Sequence, residues 1–103
     1  MTDDAPLSIA GFQRIIRERY FTTDSARGTP GTFMWFVEEV GELATALHKA
    51  AGEGGGTSGG EDLPGEFADV LAWLCTLANI NGIDLAEAVR AKYLDGEGPK
   101  GHK

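Results

Sequence analysis

Trp35-Phe36-Val37-Glu38-Glu39-Val40-Gly41-Glu42-Leu43 and, after 23 intervening residues from Glu42, Glu66-Phe67-Ala68-Asp69-Val70-Leu71 carry the reading of the whole chain. In each stretch two acids are spaced i, i+3, so at roughly 100° per residue both carboxylates leave the same side of a helix. With Glu66 as origin, Trp73, Leu77, Val70 and Ile80 fall within roughly 40° of it, and Asp69 about 60° away. Glu39 has Trp35 and Phe36 one turn before it and Leu43 one turn after. The acids therefore sit in the apolar stripes that should face a core. Glu42 lies nearer the polar edge, and Glu38 lies further round, toward Thr45 and Lys49.

Such a placement demands a counter-charge. Two carboxylates about 5 Å apart repel by roughly 3 kcal/mol at an effective dielectric near 20. Four in one pocket would exceed the reserve of about 5 to 15 kcal/mol that a small domain possesses, unless some are protonated or cation-bound. Antiparallel neighbouring helices can bring the two pairs face to face as an oxygen-only cage, which suits Mg²⁺ or Mn²⁺. A lone Glu-x-x-Glu arises readily on any acidic helix; two such pairs on consecutive apolar-faced helices are far more specific.

Outward from these stretches the signals stay helical, with no sustained alternation of the kind a strand shows. Ser8 caps a first helix running through Ile9, Phe12, Ile15 and Ile16 to about Tyr20 or Phe21. Residues 27–31 read as a loop, with Thr29-Pro30 or Thr32 opening a second helix that reaches Ala50 or Ala51. Residues 52–60 form a Gly-rich connector. It lacks the Gly-Lys-Ser/Thr ending of a phosphate-binding P-loop, and no strand precedes it. A third helix starts near Asp62 to Pro64 and stops at Asn81-Gly82. Asp84-Leu85-Ala86-Glu87 is an acid-headed capping box for a last helix to about Leu94. Trp35, Phe36 and Trp73 fall at core spacing. The expected fold is all-α, a bundle of about four helices in a single domain over residues 1–103, with flexible tails at 1–7 and 95–103.

Composition narrows the function classes. The formal charge of −7 and pI near 4.6 oppose binding to a polyanion, and Arg14, Arg17 and Arg19 are interrupted by Glu18, so no nucleic-acid partner is expected. No apolar run approaches the roughly 18 residues of a membrane span, and Met1-Thr2-Asp3-Asp4 lacks a signal layout, which together imply a cytoplasmic protein with no membrane partner. The single Cys75 has no internal disulfide partner and falls in an apolar helix. A di-iron carboxylate bundle needs Glu-x-x-His pairs, which His48 and His102 do not supply.

At the two acid stretches, together with Gly82-Ile83-Asp84-Leu85, Ala88-Val89 and Lys92-Tyr93, the chain resembles the MazG-type all-α nucleoside triphosphate pyrophosphohydrolases. The resemblance runs from about Phe12-Gln13 through Tyr93. It implies Mg-dependent hydrolysis of an NTP or dNTP to the monophosphate and pyrophosphate, with the metal held by Glu39, Glu42, Glu66 and Asp69. The acceptor of the attacking water's proton is one of these acids or Glu38, and Glu38 and Glu39 stand as the catalytic candidates. Lys92, by the same match, is a candidate phosphate contact, and Gln13 matches a glutamine of the family's first helix. The resemblance also implies a homodimer or tetramer and a nucleotide house-cleaning role. Residues 96–103 depart from relatives that carry zinc-binding cysteines or a basic, Asn-containing tail there. That departure keeps open a second reading, a catalytically weak nucleotide- or metal-binding sensor of the same fold.

Overall fold

The computed structural model describes residues 6–52 and 62–98. Its elements are α1 (Ile9–Gly52), α2 (Leu63–Ile80), α3 (Leu85–Val89) and a π-helical turn (Arg90–Leu94), with no strand among the described residues. The all-helical reading holds. Most of the Gly-rich connector, the ends of both expected tails and His102 lie outside the described residues.

Ser8 opens α1 as its sequence suggests, its hydroxyl accepting from the Gly11 amide at 2.9 Å. The expected end near Tyr20 and the loop at residues 27–31 are both corrected. The helix continues, and only Gly28 departs from helical geometry, at φ 83° and ψ 172°. That combination is accessible to glycine and almost nothing else. Pro30 follows inside the helix, where its missing N–H matters least just after a break. α1 is thus two arms, residues 9–27 and 29–52, meeting at one residue. A clamp spans the joint: Arg27 Nη2 donates to Asp24 Oδ1 at 2.6 Å, and Arg27 Nε donates to Thr32 Oγ1 at 3.0 Å. Thr32, the alternative cap, is fully buried and lies inside the second arm, whose helical geometry already begins after Gly28, so it does not cap it.

α2 starts with Pro64 in its first turn and ends at Asn81. The Asn81 side chain donates to the Leu77 carbonyl at 2.8 Å and to Thr29 Oγ1 at 3.2 Å, tying the end of α2 to the joint in α1. Gly82 then turns at φ 67°, and Asp84 caps α3 by accepting from the Glu87 amide at 3.1 Å. The last helix is not uniform. Beyond Val89 it widens into the π turn, in which the Asp95 amide bonds the Arg90 carbonyl at 2.8 Å. Residues 95–98, expected within a flexible tail, are held back on this turn, with the Gly98 amide bonding the Lys92 carbonyl at 2.8 Å.

Gln13 fastens the C-terminal elements to α1. Its Nε2 donates to Asn79 Oδ1 at 2.9 Å and to the Ile83 carbonyl at 2.7 Å, while its Oε1 accepts from the Leu85 amide at 2.9 Å. Asn79 Nδ2 returns a bond to the Gln13 carbonyl at 3.3 Å. Both residues are buried, and the amide's two donors and its oxygen are all used. The role left open by the sequence is therefore a structural one.

The main interface packs α1 against α2. Its buried apolar residues are Ile16, Cys75 and Ala78, joined by the polar Gln13, Asp24, Thr32, Thr76 and Asn79. Trp35 and Trp73 stack across it with ring centroids 6.0 Å apart and planes 11° from parallel. Trp35 is nevertheless 47% exposed, contrary to the expected core position, and Phe33, Met34, Val37 and Phe67 are exposed as well. A single copy leaves much apolar surface in water, more than scattered surface residues account for.

Candidate acidic site

The second arm of α1 carries Glu38, Glu39 and Glu42, and α2 carries Glu66 and Asp69. Packing the two helices through Trp35 and Trp73 places the turns that follow and precede these tryptophans side by side. Glu39 is one turn beyond Trp35, and Asp69 is one turn before Trp73. As a result one carboxylate oxygen from each of Glu39, Glu42 and Glu66 lies within 4.8 Å of the others. Glu39 Oε1 and Glu66 Oε1 are buried with no hydrogen-bond partner. Buried polar atoms are rarely left this way, because an unmet acceptor forfeits its hydration with nothing in return.

The electrostatics follow from the crowding. The Glu39 carboxyl is held above its ordinary range, first by burial and then by Glu42, Asp69, Glu66 and Glu38. Glu66 is raised likewise, by burial first and then by Glu42, Asp69 and Asp62. No basic side chain relieves them: among the described residues the only ion pair is the one between Arg27 and Asp24. Two orphaned oxygens, a third carboxylate in reach and no internal counter-charge form a donor set that fits a hard, oxygen-seeking divalent cation.

The structure brings three of the four paired acids together. Asp69 stands at the margin, exposed, outside the trio yet near enough to raise both of its neighbours. Glu38 is exposed and lines a shallow pocket with Arg27, Gly31, Met34 and Trp35. Lys92 is exposed on the π turn, which continues α3 directly, and it makes no ion pair with the acids.

Two residues beside this cluster escaped the sequence reading. Asp24 and Arg27 line a cavity of about 320 Å³ between the first arm of α1 and α2, with Tyr20, Trp73 and Thr76 among its other walls. Asp24 is only 5% exposed and its Oδ2 has no partner. The signal was present as an Asp-x-x-Arg pair continuing the register of Ile16 and Tyr20. Ending the first helix at Phe21 hid it.

No curated protein matches the chain. The family model described as the MazG nucleotide pyrophosphohydrolase domain matches residues 29–93, a stretch that contains both acid pairs and Lys92. That span is more than half of the 103 residues and carries the acids that the fold draws together, so the chain belongs to the MazG nucleotide pyrophosphohydrolase family.

Proposed function

We propose that this protein hydrolyses nucleoside triphosphates, ribo- or deoxyribo-, to the monophosphate and pyrophosphate in a reaction that requires Mg²⁺ or Mn²⁺. The observation that carries the proposal is the pair of buried, partnerless oxygens on Glu39 and Glu66 with Glu42 within 4.8 Å. Family membership supplies the substrate class. Glu39, Glu42 and Glu66 would hold the ion, with Asp69 completing the set from its edge. When bound, the ion supplies neutralisation of the triphosphate and Lewis-acid polarisation at phosphorus.

The chain's own groups do the rest. Glu39 and Glu66, poorly hydrated and crowded, are driven to pair with a cation and so fix where the phosphates rest. Glu38, one residue from Glu39, and Glu39 itself are the candidates to take the proton of the attacking water. Lys92 serves as a phosphate contact if the π turn meets the substrate. The trio is oxygen-only, which favours phosphate chemistry over the soft-ligand chemistry of zinc or copper.

A homodimer or tetramer belongs to the same proposal, because the exposed apolar side chains of the second arm and of Phe67 call for a covering surface. The protein is read as one domain acting in the cytoplasm on the nucleotide pool, without nucleic acid or membrane. No described helix is long and apolar enough to cross a bilayer. Light scattering at micromolar concentration should report a multiple of the chain mass of 10.9 kDa. A monomer would remove the assembly from the proposal.

The test of the activity is product analysis. Purified protein incubated with a panel of NTPs and dNTPs plus Mg²⁺ should release monophosphate and pyrophosphate, and Glu66→Gln should abolish that turnover. Orthophosphate release would contradict the proposed bond cleavage. Nucleotide binding without turnover would replace the hydrolase with a sensor.

A further inference from the structure

We infer that the cavity between the first arm of α1 and α2 receives the base of the nucleotide, and that Asp24 and Arg27 select a base with a 4-aminopyrimidine edge, as in cytosine and adenine. The inference rests on the proposed hydrolase reading for its substrate class, but its evidence lies elsewhere in the molecule. Asp24 and Arg27 precede residue 29, where the family match begins.

The cavity is built for a planar, partly polar ring. Tyr20 and Trp73 give it aromatic surface, Ile16 and Ala72 give it aliphatic surface, and the Arg27 guanidinium stands 4.9 Å from the centroid of Trp73. Its volume of about 320 Å³ is at the lower end of ligand pockets, enough for a base with the phosphates left outside. Position supports the same division. On α2, Trp73 lies four residues beyond Asp69 and seven beyond Glu66, which is roughly 6 and 10 Å along the helix. A ribose can bridge that interval, so a base beside Trp73 leaves its phosphates beside the acids.

Asp24 gives the cavity its chemical preference. One oxygen is committed to Arg27 at 2.6 Å, and the other is buried with no partner. An unfilled, buried carboxylate oxygen selects an N–H donor, and an exocyclic amino group is the base edge that a carboxylate accepts from. Arg27 has spent one N–H on Asp24 and one on Thr32, leaving others to donate to the ring nitrogen next to that amino group. Uracil and hypoxanthine present a carbonyl oxygen in place of the amino group, and it would face the carboxylate.

Matched nucleotide pairs test this on the unmodified chain. CTP against UTP and ATP against ITP each exchange the amino group for an oxygen, and kcat/KM should favour the amino member by about tenfold or more. Asp24→Asn, whose amide oxygen still accepts from Arg27, should bring both ratios close to one while the products stay monophosphate and pyrophosphate. Free cytidine should quench tryptophan fluorescence saturably in the unmodified protein and not in Asp24→Asn, and free uridine should do so in neither to the same degree. Turnover with equal rates within both pairs would overturn the inference and leave the hydrolase standing. Saturable cytidine binding with no turnover of any triphosphate would uphold the base cavity and sink the hydrolase. If Asp24→Asn fails to fold, the pairwise ratios of the unmodified protein alone decide the question.

Discussion

Replacing Gln13 by alanine should loosen the C-terminal elements from the rest of the molecule. The substitution removes two donated bonds, to Asn79 Oδ1 and the Ile83 carbonyl, and one accepted from the Leu85 amide. Asn79 is buried, so its oxygen loses its partner without gaining water, at a cost of about 1 to 3 kcal/mol. The Ile83 carbonyl and the Leu85 amide are part-buried and regain some hydration, so each costs about 1 kcal/mol. The sum, roughly 3 to 5 kcal/mol, is a large fraction of the 5 to 15 kcal/mol typical of a domain. Urea denaturation at a fixed protein concentration reads it directly: with a slope near 1.5 kcal/mol/M, the midpoint should fall by about 2 to 3 M. Amide exchange at Leu85 should accelerate more than exchange in the middle of α2, because that amide loses its own acceptor. A loss below about 1 kcal/mol with Leu85 still protected would show that Gln13 is not the fastening described.

Gly28→Ala forces a side chain into a backbone region that only glycine occupies comfortably, and should cost about 1 to 3 kcal/mol in thermal or chemical denaturation; an unchanged midpoint would contradict the kinked joint. The raised carboxyls make a further prediction. Glu39 and Glu66 bind protons more readily in the folded protein than at their ordinary value of 4.5, so the folded state holds more protons just above that pH. Metal-free stability should therefore fall as pH rises from about 4.5 through the shifted values, and saturating Mg²⁺ should flatten the fall. A metal-free stability that instead rose with pH across that window would refute the crowding. Glu66→Gln should weaken the same pH dependence and leave the metal-free protein as stable as the original or more so; a marked loss of stability would show that the charge is compensated from within.

Much of this was legible because period and caps are local. Ser8, Asp84 and Asn81-Gly82 mark helix ends through bonds reaching only a few residues, and the structure places the ends there. The acid pairs were legible for a related reason: i, i+3 spacing on an apolar face survives any packing of the helices. The joint at Gly28 was not. A Gly-x-Pro stretch signals a break, but how many residues it takes depends on Arg27 reaching both Asp24 and Thr32, which is tertiary information. Asp69 shows the limit of wheel arithmetic, since a residue about 60° from the centre of a stripe falls inside or outside a cluster according to how the partner helix is rotated. Trp35 shows another, because core spacing on a helix names a face to be covered and does not say that the same copy of the chain covers it.

On the proposed function, the orphaned oxygens of Glu39 and Glu66 hold a divalent cation. Titrating Mn²⁺ into the metal-free protein and following the free ion by electron paramagnetic resonance measures this without reference to turnover. Saturable binding that is lost in both Glu39→Gln and Glu66→Gln, while Glu87→Gln on α3 leaves it unchanged, is the predicted result. Absence of binding in the unmodified protein, or binding that survives both substitutions undiminished, would contradict it.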